Sequence, residues 1–188
     1  NKKKNKMAFA QSTSTYSSTD FMQGLRAQLH HPDSERTFYV SQALKTINFD
    51  NNPESLLRLD QFFQAFKKHL GILTADFNKT IQKLNTVLLI TSQIGYFISS
   101  ELNCTEHWLS LEELQMVALI PGTEFANSQY YYGLELHGQI VFPIDYVLKH
   151  FSSMEMNTSI SEDIQSFIFN YRHPQAIDQY DYSTVFRI

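Results

Sequence analysis

One long apolar segment constrains the fold more than any other feature of this sequence. Asp76 or Asn78 can open a helix that continues to about Leu102. Hydrophobic residues recur along one face of this helix, and others widen that face past a half-buried stripe: Ile81, Leu84, Val87, Leu88, Leu89, Ile90, Ile94, Phe97, Ile98 and Leu102. A helix that is apolar around so much of its circumference is buried. We therefore predict that this helix lies at the centre of the fold.

Gly95 interrupts the central segment. A glycine inside a helix costs about 1 kcal/mol of helix stability relative to alanine. We therefore expect another part of the chain to pack closely against the helix at Gly95.

Two helices are predicted near the N-terminus. Thr19 or Asp20 can cap the first, which ends at residues 31–32 because the residue before a proline avoids the helical region. Ser34 can cap the second, which carries Val40, Ala43, Leu44 and Ile47. A strand through residues 38–40 is the competing interpretation.

The third predicted helix has the clearest local signals. Asn52 suits its N-cap, Pro53 its first position and Gly71 its C-terminal cap. Between these residues, hydrophobic side chains recur at helical spacing: Leu56, Leu59, Phe63, Phe66 and Leu70. Such a stripe is typical of a helix face that packs against the core.

After Leu102 the pattern indicates a small sheet. Strands are predicted at residues 107–109, 130–136 and 139–142, with a tight turn at residues 137–138. A turn at residues 121–122 and a final strand around residues 185–186 are also predicted.

Helices are predicted on either side of that sheet hairpin. Ser110 with Glu113 has the form of a capping box, which predicts a short helix, and Ser159 with Glu162 has the same form. Pro143 can open a further helix.

The predicted fold class is therefore α+β, with about five or six helices packed on a small antiparallel sheet formed mainly by residues 105–142. The chain has 188 residues, which fits one domain. Residues 1–18 are mostly Lys, Asn, Ser and Thr and predict a disordered tail, so the domain covers residues 19–188. Whether residues upstream of Asn1 have been removed is left open.

The lack of a complete targeting signal in the sequence favours a cytoplasmic protein. Lysines near the N-terminus imitate the basic region of a signal peptide, but no apolar segment follows them. The longest aliphatic run, residues 87–90, is far shorter than the roughly 20 residues of a membrane span. Cys104 is the single cysteine, which suits a reducing compartment.

The charges are distributed unevenly along the chain. Residues 1–100 hold 12 Lys or Arg against 7 Asp or Glu, a net charge of +5, whereas residues 101–188 hold 3 against 12, a net charge of −9. Acidic side chains can simply keep a small protein in solution. They can also form an electronegative face that steers a basic partner and repels nucleic acid.

No catalytic, cofactor or metal motif is present in the sequence. It contains no GxGxxG, GxSxG, HExxH or pair of cysteines. Cys104 with His107 is the nearest approach to a reactive pair, but Glu101 and Glu106 flank the cysteine and would raise the pKa of its thiol. We expect no catalytic residue, no cofactor and no bound metal.

The candidate partner-binding residues are carboxylates and tyrosines in the acidic half. Glu112, Glu113 and Glu124 flank the predicted sheet and could form one exposed cluster near three consecutive tyrosines, which are Tyr130, Tyr131 and Tyr132. Tyrosine is enriched at interface hot spots, so an edge strand could present these rings to a partner. The alternative is a central strand whose tyrosines pack into the core on both faces.

About half of the chain also resembles a family of small uncharacterised bacterial domains. The resemblance rests on Gly95-Tyr96 in a long helix, on Trp108 about a dozen residues later, and on a strand pair that runs into the Phe142-Pro143 helix start. It implies a stand-alone accessory protein, since some small proteins of this type are antitoxins or immunity partners of secreted toxins. It implies no catalytic residue.

Charge and resemblance together lead to one functional expectation. We expect a non-enzymatic, cytoplasmic immunity protein that acts as a toxin inhibitor, occluding a basic toxin such as a nuclease with its acidic C-terminal half. The alternative is a small enzyme or ligand-binding domain with a pocket between the helices and the sheet. We expect neither nucleic acid nor a membrane as partner, and the oligomeric state is left open.

Overall fold

The computed structural model describes residues 17–66, 80–116, 131–152 and 158–174. Within these ranges the chain forms eight helices and three strands. The helices are α1 (Ser18–Leu29), α2 (Ser34–Thr37), α3 (Ser41–Ile47), α4 (Pro53–Phe66), α5 (Ile81–Glu101), α6 (Leu111–Met116), α7 (Pro143–Ser152) and α8 (Ile160–Arg172). The strands are β1 (Trp108–Leu109), β2 (Gly133–Leu136) and β3 (Gln139–Val141). The predicted α+β class is confirmed.

Helix α5 lies at the centre of the fold, as predicted. Helices α1, α2, α7 and α8 all pack against it. It is buried almost continuously from Leu84 to Ser99, because its apolar side chains cover most of its circumference. Its start was predicted two to four residues too early, because Thr80 is its N-cap, with an extended backbone (φ −107°, ψ 115°), and the helix begins at Ile81.

The three strands form one antiparallel sheet in the order β1-β2-β3. Trp108 pairs with Leu134, and Leu134 in turn pairs with Val141. His137 (φ 48°) and Gly138 (φ 82°) form the tight turn between β2 and β3. Positive φ at both turn residues matches the twist of the strands they join. The sheet and its hairpin fall within the predicted residues 105–142.

Several predicted helix starts are confirmed at the level of single hydrogen bonds. The side chain of Asn52 accepts a hydrogen bond from the backbone N–H of Glu54 (3.1 Å) and caps α4. Ser159 and Glu162 form a complete capping box at α8. Pro143 opens α7. The predicted end of α4 at residue 71 lies outside the described residues.

The predicted cap of the first helix was wrong by two or three residues. Ser17 caps α1 by accepting a hydrogen bond from the backbone N–H of Asp20 (3.0 Å), and the helix begins at Ser18. Ser18 is buried and donates a hydrogen bond to Glu113 (3.1 Å). The ordered domain therefore includes residues 17 and 18, and the rest of the predicted tail lies outside the described residues.

The single helix predicted over residues 34–47 is broken into α2 and α3, and the alternative strand is not formed. Val40 has a left-handed backbone (φ 51°), a conformation that β-branched residues rarely adopt. The break is held by α5, since the N–H of Tyr39 donates to the carbonyl of Gln82 (3.3 Å) and to Thr86 Oγ1 (3.0 Å). With this break the described ranges contain eight helices, more than the predicted five or six.

Candidate functional site

A cleft of about 320 Å³ lies between α1, α3 and α5. We call it the α1–α3–α5 cleft. Its polar lining comes from six side chains: Arg26, His30, Lys45, Asn48, Gln93 and Tyr96. Its apolar lining comes from Ala27, Leu29, Leu44 and Phe49.

The two helices that carry the cations are held in place by their apolar faces. Leu25 and Leu29 of α1 and Leu44 of α3 are buried in the core, with at most 3% of each side chain exposed. Arg26, His30 and Lys45 lie beside these anchors in sequence and therefore emerge at the edge of the core. Packing of apolar neighbours thus fixes where the positive charges lie.

Arg26 is the best-anchored cation of the cleft. Its Nη1 donates to Glu106 Oε1 (2.9 Å) and its Nη2 to Glu106 Oε2 (2.7 Å), which is the bidentate arrangement that gives the strongest ion pairs. Nη1 also donates to Ser92 Oγ (2.6 Å). The guanidinium lies 4.7 Å from the centre of the Tyr96 ring. Arg26 is therefore a rigid wall of the cleft whose charge is offset by Glu106.

Lys45 and His30 are not offset in this way. Neither side chain makes a hydrogen bond or an ion pair with any other residue in the described ranges. The described residues that line the cleft include no Asp or Glu. The cleft therefore has an excess of positive charge, carried by Lys45 and by His30 when it is protonated.

Gln93 forms part of the inner wall of the cleft. Only 6% of this residue is exposed, yet its Oε1 receives no hydrogen bond from any described residue. A buried polar atom without a partner costs about 1–3 kcal/mol. The amide is therefore the polar group of the cleft with the largest unmet demand for a hydrogen bond.

The two other described concavities offer less to a ligand. A wide, shallow one of about 410 Å³ is bordered by Glu35, Phe38 and Phe66, and its charged side chain already accepts a hydrogen bond from Gln42. One of about 240 Å³ lies between Pro53, Phe97 and Phe169, and is bordered by Arg172, which pairs with Glu101.

The predicted tyrosine surface was wrong for the residues that can be placed. Tyr131 is 0% exposed and Tyr132 is 1% exposed, and both precede β2 rather than lying in it. Tyr131 packs on Phe142 and donates a hydrogen bond to Asp145 (2.8 Å), while Tyr132 stacks on Phe21. Both rings belong to the core, as the alternative interpretation expected. Tyr130 lies outside the described residues.

The predicted glutamate cluster is reduced to one available carboxylate. Glu112 is exposed on α6. Glu113 is also exposed but caps α6 with Ser110 and accepts a hydrogen bond from Ser18. Glu124 lies outside the described residues.

Most acidic side chains of the second half serve the fold. Within the described ranges of residues 101–188, seven of them accept a hydrogen bond or pair with a cation: Glu101, Glu106, Glu113, Glu135, Asp145, Glu162 and Asp163. Of the eight acidic residues in those ranges, Glu112 alone has no such contact. Most of the described acidic side chains of the second half therefore form hydrogen bonds or ion pairs within the protein and do not form a free acidic face.

Cys104 and His107 do not form a reactive pair. Burial raises the pKa of the Cys104 thiol, whereas a nucleophilic thiol needs a lowered pKa. His107 Nδ1 lies 3.2 Å from Glu135 Oε2 and is engaged there. Among the described residues, no group of three or more His, Cys, Asp or Glu is arranged to hold a metal ion.

A second histidine, His150, pairs with a carboxylate between two helices. His150 Nε2 lies 2.7 Å from Asp163 Oδ2, and the two side chains are 6% and 13% exposed. Nearby, Asp60 accepts hydrogen bonds from the backbone of Ile160 (2.8 Å) and Ser161 (3.2 Å). Burial raises the pKa of Asp60, although these two hydrogen bonds lower it. These contacts bind α4, α7 and α8 together, and they line none of the described cavities.

The sequence did not single out the residues of the cleft. Arg26, Lys45 and Gln93 lie on three helices and belong to no motif. The net charge of +5 over residues 1–100 is the one sequence signal that pointed toward a basic site there.

Comparisons with protein-family models, with curated proteins and with solved structures found no match to this chain. The resemblance to small bacterial domains therefore stays a prediction. In the described part of the chain, no helix is both long enough and apolar enough to cross a membrane.

Proposed function

We propose that this chain is a non-enzymatic binding protein that holds a small anionic ligand in the α1–α3–α5 cleft. The observation that supports the proposal is the lining: Arg26, His30 and Lys45 border one concavity, and no described carboxylate does. Clefts lined by one sign of charge concentrate ligands of the opposite sign. The cleft lies between three helices, whereas the alternative expectation from the sequence placed a pocket between the helices and the sheet.

The Lys45 ammonium is the principal anion-binding group in this proposal. It makes no ion pair within the described ranges, so binding an anion breaks no existing contact. Lysine binds phosphate and carboxylate as a compact point charge. Glu106 and Ser92 already fix the orientation of the Arg26 guanidinium, which lowers the entropy cost of a contact between the ligand and its remaining N–H groups.

The proposal is tested by titrating the purified chain with inorganic phosphate, benzoate and AMP at low ionic strength, using calorimetry. Phosphate, which does not absorb, can also be followed by fluorescence of Trp108, the single tryptophan. The Nε1 of Trp108 donates to Glu106 Oε1 (3.0 Å), and Glu106 holds Arg26 at the cleft, so ligand contact with Arg26 should change the emission. We expect saturable binding of at least one of these anions.

Two lysine variants make the test specific. Lys45→Ala should weaken binding about tenfold or more, because a charged hydrogen bond contributes about 1.5–3 kcal/mol. Lys83→Ala removes the same charge from α5, where Lys83 lies over the Tyr39 ring and borders none of the cleft. It should leave the affinity unchanged. Absence of saturable binding, or equal effects of the two variants, would refute the proposal.

A second candidate function is the immunity protein expected from the sequence. The net charge of −9 over residues 101–188 favours it. Within the described ranges, its acidic face reduces to Glu112, because the other carboxylates are engaged in the fold. We propose a cytoplasmic location for either candidate.

This second candidate predicts steep salt dependence. If a basic toxin is steered by the acidic half, its association should slow strongly as the Debye length falls from about 10 Å at 0.1 M salt to about 3 Å at 1 M. Glu112→Lys should slow association, whereas Glu35→Lys, in the basic half, should not. A salt-independent association rate would eliminate this mechanism without affecting the anion-binding proposal.

A further inference from the structure

Gln93 gives the cleft a group that charge alone does not explain. It projects from the buried face of α5, is 6% exposed, and lines the same cavity as Lys45. Its Oε1 has no hydrogen-bond donor among the described residues. An inorganic anion would satisfy Lys45 and leave this amide as it is, so the amide indicates a ligand with a polar edge of its own.

A carboxamide presents one donor and one acceptor side by side. Rotation about the last side-chain bond of glutamine is broad and exchanges the two, so Gln93 can offer either group to the cleft. The matching partner is a ring edge that also carries a donor beside an acceptor. The bidentate pairing of glutamine with adenine is an example of this match.

The walls beside Gln93 suit a flat ring. Tyr96 is 38% exposed, and Phe49 borders the same cavity. Arg26 lies 4.7 Å from the centre of the Tyr96 ring, which adds a planar guanidinium to the aromatic surface. Aromatic side chains and arginine planes both stack on nucleobase-like rings. Leu29 and Leu44 complete an apolar floor.

The volume limits the size of the ligand. At about 320 Å³ the cleft is at the small end of the range of roughly 300–1,000 Å³ that small-molecule sites occupy. That space suits one ring system with one charged group rather than a dinucleotide or a peptide. The charged group would lie at Lys45 and His30, and the ring edge at Gln93.

We propose that the ligand of the α1–α3–α5 cleft is a planar, nitrogen-containing ring that carries one anionic group, the chemistry of a nucleoside monophosphate. This inference rests on the proposed anion-binding function and adds the ring. Gln93 reads the polar edge of the ring, Tyr96 and Phe49 cover its faces, and Lys45 holds the anion.

The inference is tested by comparing ligands that carry the parts separately. Calorimetric titrations use AMP, GMP, CMP and UMP, and set them against adenosine, benzoate and inorganic phosphate. At least one nucleoside monophosphate should bind about tenfold more tightly than each of the three partial ligands. Benzoate has a ring and an anion without a polar ring edge, so it isolates the contribution of Gln93.

A matched pair of variants locates the ring contact. Gln93→Leu should lower the preference for the nucleoside monophosphate over phosphate by about tenfold, since a bidentate amide contact is lost. Gln23→Leu changes an exposed glutamine of α1 outside the cleft lining and should leave the preference as it is. Thermal unfolding of both variants verifies that they fold.

The possible outcomes separate this inference from the function it rests on. Suppose that phosphate or benzoate binds as tightly as every nucleoside monophosphate, and that Lys45→Ala weakens that binding. Recognition of a nitrogen-containing ring is then refuted, and the anion-binding proposal stands. The same holds if Gln93→Leu, folded normally, leaves the preference unchanged. If no anion binds, both proposals are refuted.

Discussion

A methyl group placed on Gly95 would lie 2.2 Å from Cζ2 and 2.5 Å from Cη2 of Trp108. The six-membered ring of the indole therefore lies directly on the backbone of α5. Trp108 is 1% exposed, and its N–H donates to Glu106, so the ring has no room to move away. The close packing predicted at Gly95 is confirmed, and Trp108 at the start of β1 is the partner.

Gly95→Ala should destabilise the protein despite the better helix propensity of alanine. Overpacking a filled core costs about 1–3 kcal/mol, whereas alanine gains about 1 kcal/mol over glycine in a helix. We expect the free energy of unfolding, measured in urea, to fall by up to about 2 kcal/mol, the difference between these two effects. In a Trp108→Phe background, which lacks the clashing ring, the cost of Gly95→Ala should shrink.

Gly24 in α1 provides the matched control. Among the described residues, no side chain or backbone of a neighbouring element lies within 4 Å of a methyl group placed there. Gly24→Ala should therefore raise the free energy of unfolding by about 0.5–1 kcal/mol, through helix propensity alone. A loss of stability in both variants would show that the contact with Trp108 is not the cause.

The Arg26–Glu106 pair should contribute measurably to stability. Glu106 is 6% exposed and accepts hydrogen bonds from both terminal nitrogens of Arg26. Glu106→Gln removes its charge and leaves the 22%-exposed arginine without a counterion, which should cost about 1–3 kcal/mol. Urea unfolding followed by Trp108 fluorescence measures this directly.

The matched control for that pair is on the surface. Glu135 pairs with His107 at 3.2 Å, but the two side chains are 39% and 54% exposed. Glu135→Gln should cost less than about 1 kcal/mol, because exposed ion pairs contribute little. Equal losses for Glu106→Gln and Glu135→Gln would contradict a special role for the buried pair.

The parts of the fold that were predictable from the sequence are those set by local chemistry. The capping box of Ser159 and Glu162 acts within four residues, and Pro143 specifies a helix start by its own ring. The central position of α5 followed from its own composition. In each case the residues that decide the structure belong to the helix itself.

The errors arose where distant residues decide the local structure. The break between α2 and α3 is held by Thr86 and Gln82 on α5, more than forty residues from Tyr39. The net charge of the second half suggests a free acidic surface, but Glu106 is bound by Arg26, 80 residues away. Periodicity and net charge contain no information about such pairings.

The cleft could not be predicted for the same reason. Lys45 on α3 and Gln93 on α5 are ordinary helical residues when the sequence of each helix is considered alone. They become one site because Leu29 and Leu44 pack into a shared core and bring the helices together. A binding site assembled by packing, with no motif, is visible only in three dimensions.

Asp60 offers a test of one such long-range tie. Its carboxylate on α4 accepts the first two backbone N–H groups of α8, at Ile160 and Ser161, 100 residues away. Asp60→Ala should lower the free energy of unfolding by about 1–2 kcal/mol, the usual cost of losing a helix cap. Gln61→Ala, an exposed neighbour, should change it by less than about 0.5 kcal/mol. Similar effects of the two substitutions would refute the capping role.

Asp145 should make the stability depend on pH. Burial raises the pKa of Asp145 to about 6, although the hydrogen bond from Tyr131 lowers it. That value lies above the pKa of about 3.9 of an unfolded aspartate, so the native state binds more protons between these pH values. The contribution of Asp145 to the free energy of unfolding therefore falls as the pH rises from about 4 to about 6.

Asp145→Asn should remove this fall. Between pH 4 and pH 7 the free energy of unfolding of the variant, relative to that of the native protein, should rise by about 2 kcal/mol. Urea unfolding at each pH measures it. Parallel pH profiles for the two proteins would show that Asp145 does not titrate in this window.

Tyr131→Phe tests the same carboxylate from the opposite side. The tyrosine hydroxyl donates to Asp145 Oδ1 (2.8 Å), a hydrogen bond that favours the charged form, while Oδ2 is buried without a partner among the described residues. Removing the hydroxyl should therefore raise the pKa of Asp145 further and extend the loss of stability above pH 6. Carbon NMR of the Asp145 carboxyl group follows its titration directly. A midpoint that stays in place or moves to lower pH in Tyr131→Phe would show that this hydrogen bond does not stabilise the charged carboxylate.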